Sequence, residues 1–195
     1  MEQNKIERRN TAFEVTFEEA DSRKVEGYAL LFDTPSDGLG FEEVIERGAL
    51  DGVIEKSNVF ALLNHDERRG ILARSKNGKG TLALIVDSKG LKYRFEAPNT
   101  ALGDELLEHI RLGNIAESSF AFTVAEEVWE KKNDDTWKRT VKKFNFIYDV
   151  SPVYDAAYSK TSVDIRGKEK IENEIEEKRK RELDAYFNNL NKNLN

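Results

Sequence analysis

Residues 118–124 read Ser118-Ser119-Phe120-Ala121-Phe122-Thr123-Val124. Phe120, Phe122 and Val124 alternate with smaller or polar neighbours, the period of a strand with one buried face. The alternation continues over residues 120–129, stops at Lys131-Lys132-Asn133-Asp134-Asp135 and resumes over 136–146. That is the pattern of a long β-hairpin, with Trp129 and Trp137 near its turn. A last strand is expected over 147–153.

The sequence before the hairpin reads mainly as strand too. Phe13, Val15 and Phe17 alternate with Glu14 and Thr16, and residues 25–32 form a second apolar run ending at Asp33-Thr34-Pro35-Ser36-Asp37-Gly38. Residues 59–63, Val-Phe-Ala-Leu-Leu, are too few for a helix and apolar throughout, which suits a strand buried on both faces. Strands are expected at 71–74, 81–87 and 91–96, punctuated by Gly78, Gly80 and Gly90. Two helices interrupt them. Residues 100–112 carry Leu102, Leu106, Leu107 and Ile110 at helical spacing, with Asn99 or Thr100 as N-cap and Gly113 as the stop. A shorter helix is expected over 48–55. Many short strands separated by turns indicate a barrel or sandwich.

Composition narrows the function. The 195 residues hold 31 Lys and Arg against 37 Asp and Glu, a formal charge of −6, with two histidines and no cysteine. Lacking cysteine, the chain has no disulfide framework, thiolate metal site or cysteine nucleophile. A net negative charge argues against a nucleic-acid partner. No apolar run approaches the length of about 18 residues that a membrane helix needs, and Met1-Glu2-Gln3-Asn4-Lys5 is not a signal peptide, so a cytosolic protein is expected. Residues 168–182 hold six basic and six acidic side chains, and Asp184 and Lys192 cancel, so the whole −6 belongs to residues 1–167. The expected division is a globular body, 1–167, and a charged helical tail, 168–195.

His65 follows the apolar run at 59–63, in Asn64-His65-Asp66. A base at the end of one strand and a hydroxyl at the head of another suit a serine hydrolase, because serine attacks well only when an imidazole takes its proton. A histidine at a strand end also serves as a structural hydrogen-bonding residue, and Ser-Ser at a strand start is common; the residues alone leave both readings open. His109 lies on the expected helix beside Glu108 and suits a surface position. His65, Asp66 and Glu67 are adjacent and do not make a metal site by themselves. Gly78-Lys79-Gly80 sits in a hairpin turn and is not a phosphate loop.

Five segments carry a family resemblance. Gly27-Tyr28-Ala29-Leu30-Leu31-Phe32, Glu43-Val44-Ile45-Glu46-Arg47-Gly48-Ala49-Leu50, Asn64-His65-Asp66, Glu117-Ser118-Ser119-Phe120-Ala121-Phe122 and Tyr148-Asp149-Val150-Ser151-Pro152-Val153 resemble, in order, motifs of the prohead maturation proteases of tailed bacteriophages, relatives of the herpesvirus assemblins. The similarity spans residues 25–166. It implies a mainly β fold with a few α-helices: an assemblin-like closed or partly open β-barrel flanked by helices, plus the charged C-terminal helix. It implies His65 as general base and Ser119 as nucleophile, with Ser118 in a position the family gives to methionine. Asp149 is the implied acceptor for the imidazole, with Asp66 as the fallback. Glu117 and Ala121 replace motif glycines, and Ala156-Ala157-Tyr158 replaces a Pro-Ala-Tyr motif. The implied activity is serine endopeptidase cleavage of capsid or scaffold protein, and of the chain itself, inside the immature prohead in the host cytoplasm. No cofactor or metal is implied, a homo-oligomer is allowed, and the tail is a candidate for self-cleavage. The rival readings are a catalytically inactive assembly module on the same fold and a β-barrel ligand-binding protein.

Overall fold

A computed structural model describes residues 5–11, 15–17, 22–36, 39–154 and 180–181. The strands are β1 (Glu7–Thr11), β2 (Thr16–Phe17), β3 (Lys24–Leu31), β4 (Glu42–Ile45), β5 (Asn58–Ala61), β6 (Ala73–Lys76), β7 (Lys79–Gly80), β8 (Leu82–Val86) and β9 (Gly90–Glu96); helix α1 (Ala101–Arg111) precedes β10 (Glu117–Lys131) and β11 (Trp137–Val153). They form a mixed seven-stranded sheet, ordered β1-β10-β11-β5-β6-β7 with β4 also on β11, and a four-stranded antiparallel sheet, β2-β3-β9-β8. Ladder hydrogen bonds do not close the described strands into one barrel. The chain divides into two compact units, Met1–Ser159 and Lys160–Asn195. The expected charged tail lies outside the described residues, apart from helical Lys180 and Arg181.

The β10–β11 hairpin is the spine of the larger sheet. One edge of β11 carries β10 along its whole length; the other carries β4 at 138–141 and β5 at 149–150, both parallel. At the hairpin turn, Asp134 Oδ1 accepts from Thr136 N and Oγ1 at 3.1 and 2.6 Å, and Lys132 N donates to Thr136 O. Where two strands were expected, at 136–146 and 147–153, there is one. The apparent break is a β-bulge: Ala121 pairs with Asp149 and Phe122 with Ile147, which leaves Tyr148 without a partner in the ladder. An extra residue shifts the in-out alternation by one place. Ile147 and Val150 therefore both face the core with Phe120 and Phe122, while Asp149 and Ser151 turn to the opposite face with Ser119.

Other departures have physical causes. Residues 48–55 do not form an α-helix. Ala49, Asp51 and Val53 donate to carbonyls three residues back, and a short 3₁₀ helix follows at Ile54–Lys56. Gly48 and Gly52 adopt φ of 88° and 67°, which no α-helix accommodates. β1 and β4 were not expected as strands, since both are rich in charge and β1 has no apolar alternation. Phe60 in β5 is only half-buried, with the Arg74 guanidinium 5.2 Å over its ring, so this strand is not covered on both faces. Residues 13 and 14 lie outside the described residues; Val15 is buried and β2 follows it. Helix α1 forms as expected, with Thr100 Oγ1 accepting from Gly103 N at 3.3 Å and Leu106, Leu107 and Ile110 buried.

Candidate active site

The two adjacent serines are separated by strand geometry, because successive side chains point to opposite faces. Ser118 faces the smaller sheet, where its Oγ lies 2.7 Å from the Tyr93 hydroxyl. Burial pushes the Tyr93 phenol pKa up, partly offset by this hydrogen bond. Gly27, in the Gly-Tyr motif of β3, is what allows this approach: a Cβ there would lie 2.7 Å from Tyr93 Oη and 2.9 Å from Ser118 Oγ. Ser119 faces the other way, paired across the ladder with Ser151.

His65 does not continue β5 in extended form. After buried Leu62 and Leu63, Asn64 and His65 both enter the left-handed region, at φ of 54° and 59°. Asparagine and histidine tolerate that region better than most residues. The turn is held against β11 by Leu62 N to Val150 O at 3.2 Å and Asn64 N to Pro152 O at 3.0 Å. Local hydrogen bonds thus fix a costly backbone geometry that projects the imidazole over the Ser119 face.

There the three residues meet. His65 Nε2 lies 2.6 Å from Ser119 Oγ and Nδ1 lies 2.6 Å from Asp149 Oδ1. With Asp149 ionised, Nδ1 carries the proton and donates to it, leaving Nε2 to accept from Ser119. The imidazole is mostly shielded, at 14% side-chain exposure against 7% for Asp149, so these bonds act in a region of reduced water.

Ser151 completes the arrangement and has no counterpart among the residues expected from sequence. Its Oγ donates to Asp149 Oδ1 at 2.7 Å and lies 3.3 Å from His65 Nδ1. The available signal was the spacing Asp149-Val150-Ser151, which puts both side chains on one face of a strand. Asp66 is not part of the group: its Oδ1 accepts from Arg68 N and Nε, both at 3.1 Å, and caps a 3₁₀ turn. His109 is also remote from it, packed edge-on against Tyr154 and accepting from Asn114 Nδ2 at 3.1 Å.

The glycine replacements do not strain the strand, as neither Glu117 nor Ala121 has a positive φ. Ala121 lies across the ladder from Asp149. Glu117 Oε2 is buried without a hydrogen-bond partner among the described residues. Within those residues no cluster of three or more acidic, histidine or cysteine side chains could hold a metal ion, and no helix is long and apolar enough to cross a membrane.

A second polar cluster lies on the opposite face of β10. Arg139, 5% exposed, donates to Glu7 through Nη1 at 2.5 Å and Nη2 at 2.7 Å, to Glu43 Oε2 at 2.7 Å, and to Glu127. Arg9 of β1 grips Glu43 with two bonds, of 2.6 and 2.9 Å. Burial works against the Glu7 carboxylate, but Arg139 and Arg9 outweigh it and hold its pKa below the ordinary value.

The bacteriophage T4 capsid assembly protease, gp21, is similar in structure, with a TM-score of 0.49 at 13% sequence identity, covering 78% of this chain and 99% of that one. No curated protein matches the sequence. The caudovirus prohead serine protease family matches residues 11–191, and with nearly the whole chain covered, the protein belongs to that family.

Proposed function

We propose that the chain is a serine endopeptidase that processes capsid or scaffold protein, and itself, inside the immature prohead in the host cytoplasm. One observation carries this reading: His65 bridges Ser119 Oγ and Asp149 Oδ1, with 2.6 Å on each side. Ser119 Oγ attacks the peptide carbonyl carbon while its proton passes to His65 Nε2. The C–N bond then breaks, and Nε2 returns the proton to the leaving amine. Water attacks the acyl-enzyme, giving a proton to Nε2 and its hydroxyl to the acyl carbon; Ser119 leaves and takes the proton back. Asp149 stays ionised, orienting the ring and stabilising the imidazolium. No cofactor or metal enters these steps.

The proposed substrates are extended segments of capsid or scaffold protein and, in self-processing, segments of this chain such as the junction with the charged tail at 168. Neither a nucleic acid nor a membrane is required, and a homo-oligomer is compatible with the scheme. The assemblin-like barrel remains the proposed description of how the two sheets relate. The test co-expresses the full chain with its capsid protein and maps products by mass. Ser119→Ala and His65→Ala should abolish the cuts, and Ser118→Ala should retain them in the folded fraction. Unchanged cuts with Ser119→Ala would overturn the reading and favour the inactive assembly module.

A further inference from the structure

The candidate nucleophile is not open to solvent. Ser119 is 0% exposed, and β1 lies antiparallel along β10 in the register Arg9 to Phe120 and Asn10 to Ser119. The Arg9 carbonyl oxygen accepts from Ser119 Oγ at 2.9 Å, while His65 Nε2 lies 2.6 Å from that Ser119 Oγ. A hydroxyl has one proton, so the Arg9 carbonyl competes with the base for it. Except for Thr11, β1 precedes the stretch matched by the family.

A strand that adds to a sheet edge uses its main chain for affinity and alternate side chains for selection. The Arg9 side chain supplies the selection here. It crosses the Phe122 ring at 5.5 Å and ends on Glu43, whose side chain is only 2% exposed. With β1 docked, the cluster holds three carboxylates, Glu7, Glu43 and Glu127, against two guanidinium groups, Arg9 and Arg139. Without β1, two carboxylates face one guanidinium, the same excess of one negative charge as with it docked, so what changes is the pairing. Arg139 still engages Glu43 Oε2, but Glu43 Oε1 loses its partner. A carboxylate oxygen that loses its charged partner in this way favours a new cation.

We propose that the β10 edge at 118–122 is the peptide-binding site of the protease, that β1 occupies it as an internal stand-in, and that Glu43 selects an arginine or lysine at the residue whose carbonyl meets Ser119. The substrate class is therefore an extended peptide cut after a basic residue. This deepens the proposed protease function and rests on it for the cut, but not for the binding. Displacing β1 uncovers Ser119, removes the competing carbonyl and opens the acidic Glu43 pocket together.

The binding test uses full-length protein carrying Ser119→Ala with Arg9→Glu, which sets a carboxylate against Glu43 and releases β1. A fluorescent peptide of residues 5–11 should bind this variant and compete with unlabelled peptide. Replacing the peptide's Arg9 equivalent by norleucine should weaken binding at least about tenfold, as expected for loss of a charged hydrogen-bonded pair. Glu43→Gln should weaken the arginine peptide by a similar factor while leaving the norleucine peptide little changed. Equal binding of the two peptides, or no binding by a variant that keeps the wild-type circular dichroism, would overturn the proposal. Hydrolysis is scored separately in the Arg9→Glu variant with Ser119 intact. A peptide library should be cut after Arg or Lys, and Ser119 should react with a fluorophosphonate at least about tenfold faster than in wild type, a change of about 1.4 kcal/mol. Cuts without basic preference would overturn the pocket. Binding without any hydrolysis or labelling would overturn the protease reading while sustaining the peptide site.

Discussion

Ser119 and Ser151 face each other across the β10–β11 ladder, so the hydroxyl that meets His65 Nε2 and the hydroxyl that steadies Asp149 share one rung of the sheet. The bulge at Tyr148 is what makes this possible. Without it, Asp149 would take the face of Ile147 and point into the core. The geometry of the group is therefore set by ladder register and two irregular features, the bulge at Tyr148 and the turn at His65.

Ser151→Ala should lower capsid-protein cleavage by about tenfold to a hundredfold, because a hydrogen bond to a charged group contributes about 1.5–3 kcal/mol. Ser151→Thr should recover most of the loss by restoring the hydroxyl. Cleavage rates at fixed protein concentration check both. Equal loss in the two variants would show that packing at 151 matters and the hydroxyl does not.

Asp149→Asn should preserve the fold and cut the rate far more, by about 10³- to 10⁴-fold. An amide can donate to Nδ1 and stabilise the wrong tautomer, and it offers no charge to the imidazolium. Single-turnover cleavage, with the thermal midpoint as a fold control, measures this. A rate within tenfold of wild type would reassign the acceptor.

Much of the candidate site was legible because three of its parts sit in short sequence motifs. Asn64-His65-Asp66, Ser119 before Phe120, and Asp149 two places before Ser151 can each be picked out without knowing the register. The sheet order was not legible. Parallel pairing of β5 with β11 joins residues about 90 positions apart, and nothing local encodes it. β1 was missed for a different reason: Glu7-Arg8-Arg9-Asn10-Thr11 has no apolar face, and it is held by edge pairing and by ion pairs to Glu43 and Arg139. The bulge at Tyr148 also escaped notice, since one unpaired residue looks like the end of one strand and the start of another.

Gly27→Ala should destabilise the fold by about 1–3 kcal/mol, the usual cost of forcing a methyl group into a packed site. The added Cβ would meet the Tyr93 hydroxyl and Ser118 Oγ, both buried, well inside contact distance. Urea unfolding measures the change. A double variant with Tyr93→Phe removes the nearer atom and should regain part of the loss. No recovery would place the strain at Ser118 Oγ and the ring carbon of residue 93.

Asn64→Gly should leave stability within about 0.5 kcal/mol of wild type, since glycine enters the left-handed region freely. Asn64→Val should cost about 1–3 kcal/mol and lower cleavage as well, because a β-branched residue resists that φ and displaces His65. Urea midpoints and cleavage rates together separate the backbone effect from the loss of the amide. If valine were as well tolerated as glycine, the turn would not be what positions the imidazole.

Acid should loosen β1 before it unfolds the sheets. The folded-state pKa of Glu7 lies below its ordinary value of 4.5: burial opposes the charge, but the bonds and charges of Arg139 and Arg9 outweigh it. A depressed carboxylate contributes stability that is complete above the unfolded-state pKa and is lost as pH falls through the folded one. The groups facing Glu7 are Arg9 and Arg139, which stay charged throughout, and these are shared with Glu43 and Glu127. Protonating Glu7 removes its attraction to both guanidinium groups, so β1 docking should weaken below pH 4.5 and be unaffected between pH 6 and 8. Hydrogen exchange of the amides of residues 8–11, corrected for intrinsic rates and compared with those of β9, measures this locally. Glu7→Gln should show weaker protection at neutral pH and a smaller further loss on acidification than wild type. If the β1 and β9 amides lose protection together in wild type, docking of the strand is not a separate equilibrium, and the charge on Glu7 does not control it.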